Sequence, residues 1–314
     1  MALLPPDPVF TLNHRKMGSI NSLCFHQNER LFVATKKGQI YLYDLQTNRS
    51  TFNMNIGENP LISIHHTEDS LISMEKGGTL KSFSLTNNGY KMANEIQLNH
   101  SGFCRLDYDS QSNILIAPKN ENTVSVLAVD TFEESQSLSL NSESRTGVIS
   151  SVKYLNIQGQ PYVLAGYESG ILNLWDLRMS NVLASEQFDQ FLTSIDYDLV
   201  TNRGIITSIS DKISLFSINM KSSVITKKAD LPIKNPGVHC VKIRKDLKVF
   251  VTAGFDGRLR VFSWKSLRPL AVLSDHKGDL MDIAFSNGPV SFWKSNIMAA
   301  GGSDGKITLW DIYK

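Results

Sequence analysis

The stretch Ala300-Gly-Gly-Ser-Asp-Gly-Lys-Ile-Thr-Leu-Trp-Asp311 decides the fold. A short apolar run is followed by Gly-Ser-Asp-Gly and then by an alternating run that closes on Trp310 and Asp311. Glycine accepts the positive φ angles that a tight turn between antiparallel strands requires. The stretch therefore predicts a β-hairpin.

The hairpin recurs along the chain and ends each time on a similar pair of residues. The pairs are Tyr43-Asp44, Phe83-Ser84, Leu127-Ala128, Trp175-Asp176, Phe216-Ser217, Phe262-Ser263 and Trp310-Asp311. Their spacing is close to the ~40 to 45 residues of one four-stranded propeller blade. We predict an all-β chain that forms a single seven-bladed WD40 β-propeller. The expected blades are 14–54, 55–98, 99–141, 142–188, 189–229, 230–274, and 275–314 together with 8–12.

The two ends of the chain are expected to meet in one sheet. Pro8-Val-Phe-Thr-Leu12 has the composition of a strand but precedes the first blade, while the last blade has only three strands of its own. We predict that the N-terminal strand completes the last blade. This pairing would close the ring and remove an unpaired strand edge.

Composition narrows the class of partner. Of 314 residues, 20% are charged and 41% are hydrophobic, and the formal net charge is +2, so neither nucleic acid nor an anionic membrane is expected as a direct partner. The three cysteines are far apart, form no C-x-x-C pair, and are interpreted as small buried hydrophobic residues of a reducing compartment. A Ser-rich segment, 133–145, is expected to hold a fourth strand within 134–140 and to end in a mobile loop.

The chain resembles WD-repeat propellers over essentially its whole length. In that family a histidine before the first strand, a Ser or Thr in the second, an Asp in the turn and a Trp in the third form a buried hydrogen-bonded chain. Blade seven offers His276, Asp304 and Trp310 but has Ala300 at the expected hydroxyl position. The family therefore implies structural roles for the three polar residues, in an incomplete network.

Blade six keeps a different part of the same pattern. Thr252 and Asp256 are present, but Phe262 replaces the tryptophan. Blades two and three retain almost none of it. We expect structural rather than catalytic roles for Thr252 and Asp256.

Two features that resemble catalytic or metal-binding motifs lack the sequence context that such sites require. Gly301-Gly-Ser-Asp-Gly305 matches the G-x-S-x-G pattern, but a nucleophile elbow needs a following helix, and here a strand follows. The sequence contains no phosphate-binding or dinucleotide-binding glycine motif. His65 and His66 alternate across a strand without an evident third ligand. We predict no enzyme, cofactor or metal, and a hydrolase using Ser303 is the weakest alternative.

The turns between second and third strands are candidate binding positions, because propellers bind through loops held by rigid strands. The residues before the turn Asp or its equivalent are Lys36, Lys76, Asn120, Glu168, Phe255 and Ser303. Basic residues mark the first two blades, and Tyr167 and Phe255 would be aromatic anchors on the fourth and sixth. The alternative interpretation is that these turn residues pack on a neighbouring blade.

Trp175-Asp176-Leu177-Arg178 suggests a second kind of partner. This W-D-x-R form resembles the motif by which some propellers dock on the DNA-damage-binding adaptor of cullin-4 ubiquitin ligases. The resemblance implies docking roles for Trp175, Asp176 and Arg178, in a substrate receptor. Arginine is also common after such strands as an ordinary surface residue.

The sixth blade carries a more specific resemblance. Four stretches resemble the family of guanine nucleotide-binding protein subunit beta-like protein 1 and the fungal ASTRA-associated WD-repeat subunit. They are the stretch from Asn235-Pro-Gly-Val-His to Arg-Pro-Leu-Ala-Val-Leu273, the opening Pro5-Pro-Asp-Pro-Val-Phe10, the turn Ala165-Gly-Tyr-Glu-Ser-Gly170 and the ending Leu309-Trp-Asp-Ile-Tyr313. The resemblance implies a non-enzymatic adaptor in nucleus and cytoplasm. Its implied partners are the Tel2-Tti1-Tti2 co-chaperones, AAA+ helicases and phosphatidylinositol-3-kinase-related kinases, with links to DNA-damage signalling and chromatin regulation. A G-protein γ subunit is not expected, because residues 1–12 have no coiled-coil heptads.

Overall fold

The strands form seven four-stranded antiparallel sheets. The computed structural model describes residues 5–13, 17–27, 29–87, 89–140, 146–189 and 191–313, which contain strands and no helix. Each sheet takes consecutive strands in order, apart from the one that holds both chain ends. The prediction of an all-β, seven-bladed propeller is confirmed.

Blades one to four contain strands β2 to β17 in chain order. Their bounds are β2 Ile20–His26, β3 Arg30–Thr35, β4 Gln39–Asp44 and β5 Arg49–Asn55 in blade one, β6 Leu61–His66, β7 Ser70–Glu75, β8 Thr79–Thr86 and β9 Gly89–Gln97 in blade two, β10 Asp107–Asp109, β11 Ile114–Lys119, β12 Thr123–Ala128 and β13 Glu134–Ser139 in blade three, and β14 Ile149–Ile157, β15 Gln160–Tyr167, β16 Ile171–Asp176 and β17 Asn181–Gln187 in blade four.

The remaining strands complete blades five to seven. They are β18 Leu192–Asp198, β19 Arg203–Ser208, β20 Lys212–Asn219 and β21 Val224–Pro232 in blade five, β22 Val238–Ile243, β23 Val249–Gly254, β24 Leu259–Ser263 and β25 Pro269–Leu273 in blade six, and β26 Leu280–Phe285, β27 Met298–Gly302, β28 Lys306–Trp310 and β1 Phe10–Asn13 in blade seven. The strand β13 lies within the expected range 134–140, and residues 141–145, the expected mobile loop, lie outside the described residues.

Blade seven joins the two ends of the chain. Strand β1 pairs antiparallel with β28, with Phe10 opposite Leu309 and Asn13 opposite Lys306. Leu12 is only 2% exposed and packs in a core cluster with side chains of blades one and seven. The predicted N-terminal strand that completes the last blade is therefore confirmed, with its bounds shifted towards Asn13.

A β-bulge accompanies the repeated aromatic position. In six blades the register between third and fourth strands shifts immediately before the residue that closes the hairpin, as between Leu174 and Trp175 or Val261 and Phe262. A bulge adds one residue to one strand and increases the local twist. The recurrence seen in the sequence thus corresponds to a recurrent distortion of the sheet.

The chain divides into two compact units. One comprises Met1–His66 with Gly237–Lys314, and the other comprises Thr67–Pro236. Each has two buried apolar clusters of its own: those around Leu12 and Trp310 in the first unit, and those around Trp175 and Phe216 in the second.

The three cysteines, all within the described residues, form no disulfide and act as packing residues. Cys104 and Cys240 are buried, Cys24 is partly buried, and burial raises the pKa of the Cys24 thiol to about 11. Cys104 lies before β10, which begins at Asp107. The Sγ of Cys240 donates to the carboxylate of Asp282 at 3.2 Å.

Truncation of Leu12 tests the importance of the joined chain ends. Leu12→Ala should lower the free energy of unfolding by about 2–5 kcal/mol, since it leaves a cavity beneath the pairing of β1 with β28. Asn13→Ala, an exposed position on the same strand, is the matched control and should change stability little. Urea denaturation followed by tryptophan fluorescence measures both, and equal effects would contradict a closing role for the strand.

Candidate functional site

Each blade has two ends that differ in the turns they carry. The turns from first to second and from third to fourth strand lie at one end, here called the 1–2 end. The turn from second to third strand lies at the other, the 2–3 end, because neighbouring strands are antiparallel. Lys36, Lys76, Glu168 and Phe255 follow second strands and so belong to 2–3 ends, whereas Arg178 follows a third strand and belongs to a 1–2 end.

The two predicted basic residues, Lys36 and Lys76, are exposed. The ammonium of Lys76 lies 4.4 Å from the centroid of the Phe103 ring, which is itself 65% exposed. This geometry is a cation–π contact. Phe103 was missed in the sequence because it lies in the irregular segment before β10 and not in a hairpin turn.

Tyr167 is not an exposed anchor, and that prediction is wrong. Its side chain is 0% exposed and packs in the same cluster as Ile149 and Trp175. The reason is its position at the end of β15 opposite Ile149, where the side chain faces the core. Burial raises the pKa of its hydroxyl to about 12. Its neighbour Glu168 is half-buried, and its carboxylate accepts a hydrogen bond from the Val148 N–H at 3.4 Å.

Phe255 packs on its own surroundings instead of standing free. Its ring is half-buried and lies 3.9 Å, centroid to centroid, from the imidazole of His239. It also covers Gly237, where a Cβ atom would come within 2.4 Å of the ring. These contacts lie within blade six and not on a neighbouring blade, so they differ from both interpretations made from the sequence.

The polar network of blade seven is complete, which corrects the expectation of a missing hydroxyl. Thr308 lies directly across the strand pair from Ala300 and supplies the hydroxyl from the third strand. Its Oγ1 accepts from the Trp310 Nε1–H at 2.8 Å and lies 2.9 Å from His276 Nε2. His276 Nδ1 is 3.0 Å from the Asp304 carboxylate. Every member of this buried chain has a partner, which is the condition under which such a network stabilises.

In blade six an ion pair replaces the hydroxyl-centred network of blade seven. Arg260 occupies the position equivalent to Thr308, opposite Thr252, and donates to both oxygens of Asp256 at 3.0 and 2.6 Å. The Arg260 side chain is only 6% exposed. The hydroxyl of Thr252 is buried and has no hydrogen-bond partner within the described ranges, so its predicted share in the network is wrong.

A polar residue two positions before the closing residue recurs in every blade. These residues are Tyr41, Lys81, Ser125, Asn173, Ser214, Arg260 and Thr308. Several have a local acidic partner: Lys81 pairs with Glu75 at 2.5 Å, and Ser214 donates to Asp230 at 2.7 Å. The polar residue at this position of each repeat is visible in the sequence, but the family pattern does not include it.

The W-D-x-R motif is held by local bonds. Arg178 donates to both oxygens of Asp176, from Nη2 at 2.8 Å and from Nε at 3.2 Å, and these hydrogen bonds lower the pKa of Asp176. Trp175 is 2% exposed, so its ring is not presented at the surface. The Arg178 side chain is 51% exposed at the rim of a groove of about 340 Å³ lined also by Leu177 and Tyr154. Docking of a ligase adaptor here stays a prediction.

The loop 286–297 of blade seven is the most distinctive feature of the 1–2 ends. Connections between first and second strands run from two residues, 158–159, to five, 244–248, in the other blades. An unusually long connection in a compact fold is frequently functional. Sequence reasoning missed it because the loop has no counterpart in the other repeats.

This loop is anchored by hydrogen bonds at its base and centre. The Ser286 N–H donates to the Ile297 carbonyl at 2.9 Å, and the Val290 N–H donates to the Ser295 carbonyl at 2.9 Å. Val290 and Ile297 are both 0% exposed. The loop is therefore a folded extension of the blade, with its own buried side chains.

Neighbouring blades hold the same loop from both sides. Glu29 of blade one accepts from the Ser291 N–H at 2.8 Å and also from the Ser291 hydroxyl. Lys245 of blade six donates to the side-chain oxygen of Asn287 at 2.8 Å. These contacts fix the loop between them.

Phe292 stands at the tip of this anchored loop. Its ring is 60% exposed and packs edge-on against Trp293, with centroids 5.1 Å apart and planes at 73°. Trp293 in turn packs against a buried apolar cluster. Aromatic residues, phenylalanine among them, are enriched at protein interfaces, so this ring is a candidate binding residue.

The described residues lack the features of two other kinds of site. No group of three or more His, Cys, Asp or Glu side chains is placed to hold a metal ion. No helix in these ranges is long and apolar enough to cross a membrane.

Comparison with known proteins identifies the repeat. The family model described as WD domain, G-beta repeat matches residues 6–44 and 267–311. The chain therefore carries WD40 repeats, in agreement with the sequence prediction. The matched ranges include both strands of the pairing between chain ends.

The chain is also similar to whole proteins along its length. It is 28% identical to the mouse protein named guanine nucleotide-binding protein subunit beta-like protein 1, over 98% of this chain and 97% of that one. It is 24% identical to ASTRA-associated protein 1 of Schizosaccharomyces pombe, over 99% and 100% of the two chains. A third relative, ASTRA-associated protein 1 of Verticillium alfalfae, is 22% identical over 98% and 93%. The resemblance stated from the sequence is confirmed.

The hydroxyl of Thr308 can be tested against that of Thr252. Thr308→Val should lower the free energy of unfolding by about 1–3 kcal/mol, because the Trp310 N–H and His276 lose their shared partner inside the core. Thr252→Val, at an equally buried hydroxyl that has no partner, should be neutral or stabilising. Urea denaturation of both variants gives the comparison, and a larger loss for Thr252→Val would contradict the assigned network.

Asp304 makes the stability of blade seven sensitive to acid. Burial opposes the effect, but hydrogen bonds from the Lys277 N–H and from His276 lower the pKa of Asp304 below its ordinary value of 3.8. A lowered folded-state pKa stabilises the protein above the unfolded value, and this contribution disappears as the pH falls through the folded value. Asp304→Asn should therefore be less stable than wild type at pH 7, with a difference that shrinks under acid, as urea titrations measure. Asp275→Asn, at an exposed position next to His276 in the connection between β25 and β26, is the matched control.

Proposed function

We propose that this WD-repeat propeller is a non-enzymatic scaffold that serves as an adaptor of the ASTRA assembly. In this role it acts with Tel2-Tti1-Tti2 co-chaperones and AAA+ helicases in the maturation of phosphatidylinositol-3-kinase-related kinases, in nucleus and cytoplasm. The observation that carries the proposal is end-to-end similarity to the mouse and Schizosaccharomyces pombe proteins. A link to DNA-damage signalling and chromatin regulation follows through the kinases.

The polar chemistry of blade seven supports a scaffold over a hydrolase. Ser303 is exposed in a hairpin turn, and the histidine of the same blade, His276, uses both ring nitrogens on Asp304 and Thr308. A general base must be within hydrogen-bond reach of the group that it activates. Both ring nitrogens of His276 are thus used within the network, so His276 does not serve as a general base for Ser303.

The exposed aromatics support binding of other proteins. Phe292 and Phe103 are each more than half exposed although they lie in a structure whose other large rings are mostly buried. Both are held by a neighbouring side chain, Trp293 and Lys76 respectively.

Affinity purification tests this proposal directly. The tagged full-length protein, purified from its own cells in mild salt, should co-elute with Tel2-Tti1-Tti2 components, as mass spectrometry of the eluate measures. Depletion of the protein should lower the steady-state level of the large kinases. Normal kinase levels after complete depletion would overturn the adaptor role.

A second candidate, a cullin-4 substrate receptor, is favoured by one observation, the half-exposed guanidinium of Arg178 at a groove. The same purification separates the two. Cullin-4 components that co-elute with wild type and are lost with Arg178→Ala would support the receptor, and their absence from the wild-type eluate would remove it.

A further inference from the structure

Basic side chains collect at one end of three blades in the first unit. Turns 244–248 and 264–268 of blade six, loop 286–297 of blade seven, and the turn that leads into β3 of blade one all lie at 1–2 ends. The exposed cations on these segments are Arg30, Lys245, Lys248, Lys265, Arg268 and Lys294. Among the residues that the structure describes, no carboxylate lies within ion-pairing distance of any of the six.

The acidic residues of the same segments are already engaged. Glu29 accepts two hydrogen bonds from Ser291, and Asp246 pairs with the buried Arg244 at 2.8 Å. Asp311 accepts from the Ser295 hydroxyl at 2.5 Å. Arg244 and the six exposed cations outnumber these three carboxylates, so the local charge is positive, although the whole chain has a net charge of only +2.

Phe292 supplies the apolar element within this basic surface. The hydrogen bonds of Lys245 to Asn287 and of Ser291 to Glu29 place the loop between the basic turns of blade six and the start of β3 in blade one. Arg244 also holds the segment after β28, since it donates to the Ile312 carbonyl at 2.5 Å and to the Tyr313 carbonyl at 2.7 Å. These hydrogen bonds preorganise the surface.

We infer that the 1–2 ends of blades six, seven and one bind an acidic segment of a partner protein that carries an apolar side chain. The apolar side chain packs on the exposed Phe292 ring, and the carboxylates lie over the surrounding lysines and arginines. Exposed ion pairs contribute little each, so the charges act mainly through association rate and orientation. Phe292 supplies most of the affinity, as a buried aromatic at the centre of an interface commonly does.

A protein segment fits this surface better than single-stranded nucleic acid does. Strand-binding surfaces use a charged groove in which successive bases stack on several aromatic rings. Here Phe292 is the exposed ring of the loop, and the adjoining Trp293 is turned at 73° to it and packs against the core. Nucleic acid is therefore the competing outcome of the test.

The inference rests on the proposed scaffold role but does not depend on which assembly the protein joins. Binding of defined probes to the purified protein therefore tests it separately from the ASTRA proposal. Three fluorescein-labelled probes suffice: a peptide of alternating aspartate and glutamate with two central phenylalanines, the same peptide with alanines in their place, and an oligothymidylate of similar charge. Fluorescence anisotropy measures the binding of each to the full-length protein at two salt concentrations.

Paired variants then separate the apolar contribution from the charges. Phe292→Ala should weaken binding of the phenylalanine peptide about tenfold or more and leave the alanine peptide unchanged. Phe103→Ala, at an equally exposed ring in the other unit, should change neither. Lys245→Glu with Lys294→Glu should weaken both acidic peptides, while Lys221→Glu, an exposed lysine of blade five, should not. A urea midpoint equal to wild type shows that each variant is folded.

Two results would overturn the inference. One is equal binding of the phenylalanine peptide by wild type and Phe292→Ala. The other is tighter binding of the oligothymidylate, with competition against the peptide, which would assign the surface to nucleic acid. Either result leaves the ASTRA proposal intact, because that proposal depends on what co-purifies from cells.

Discussion

The antiparallel pairing of β1 with β28 is the constraint on which the rest of the structure depends. It places Phe10–Asn13 on the outer side of the last blade and gives that blade its fourth strand. A blade without this strand would expose the backbone donors and acceptors of β28 as an unpaired edge. Beyond the pairing, Arg244 donates to the Ile312 and Tyr313 carbonyls and so holds the segment after β28, at the end of blade seven that carries loop 286–297.

Repetition explains why the fold could be predicted from the sequence. The hairpin recurs seven times, six times ending on an aromatic and a polar residue and once on Leu127-Ala128, and its spacing specifies both the number of blades and the order of strands. Packing within each blade was less predictable, because a family pattern names residue types but several side chains can satisfy the same geometry. Thr308 supplies from the third strand the hydroxyl expected at Ala300, and Arg260 replaces it in blade six with an ion pair.

The binding surface was the least predictable part, for two physical reasons. Whether a residue beside a turn faces solvent depends on its cross-strand partner, so Tyr167, opposite Ile149, is buried although its neighbour Glu168 is not. Phe292 belongs to a segment with no counterpart in the other repeats, so the repeat pattern does not predict where its side chain lies. The structure shows that this segment is folded, since Ser291 donates a hydrogen bond to Glu29 and Lys245 donates one to Asn287.

The central claim is that the protein is a scaffold whose partner rests on the 1–2 ends of blades six, seven and one. Lysine-specific cross-linking of the complex isolated from cells, read by mass spectrometry, tests it most directly, because the chain has exposed lysines at both ends of its blades. The account predicts that cross-links to the partner concentrate on Lys245, Lys248 and Lys294. Cross-links concentrated on Lys36 and Lys76 would contradict it and place the partner at the 2–3 ends.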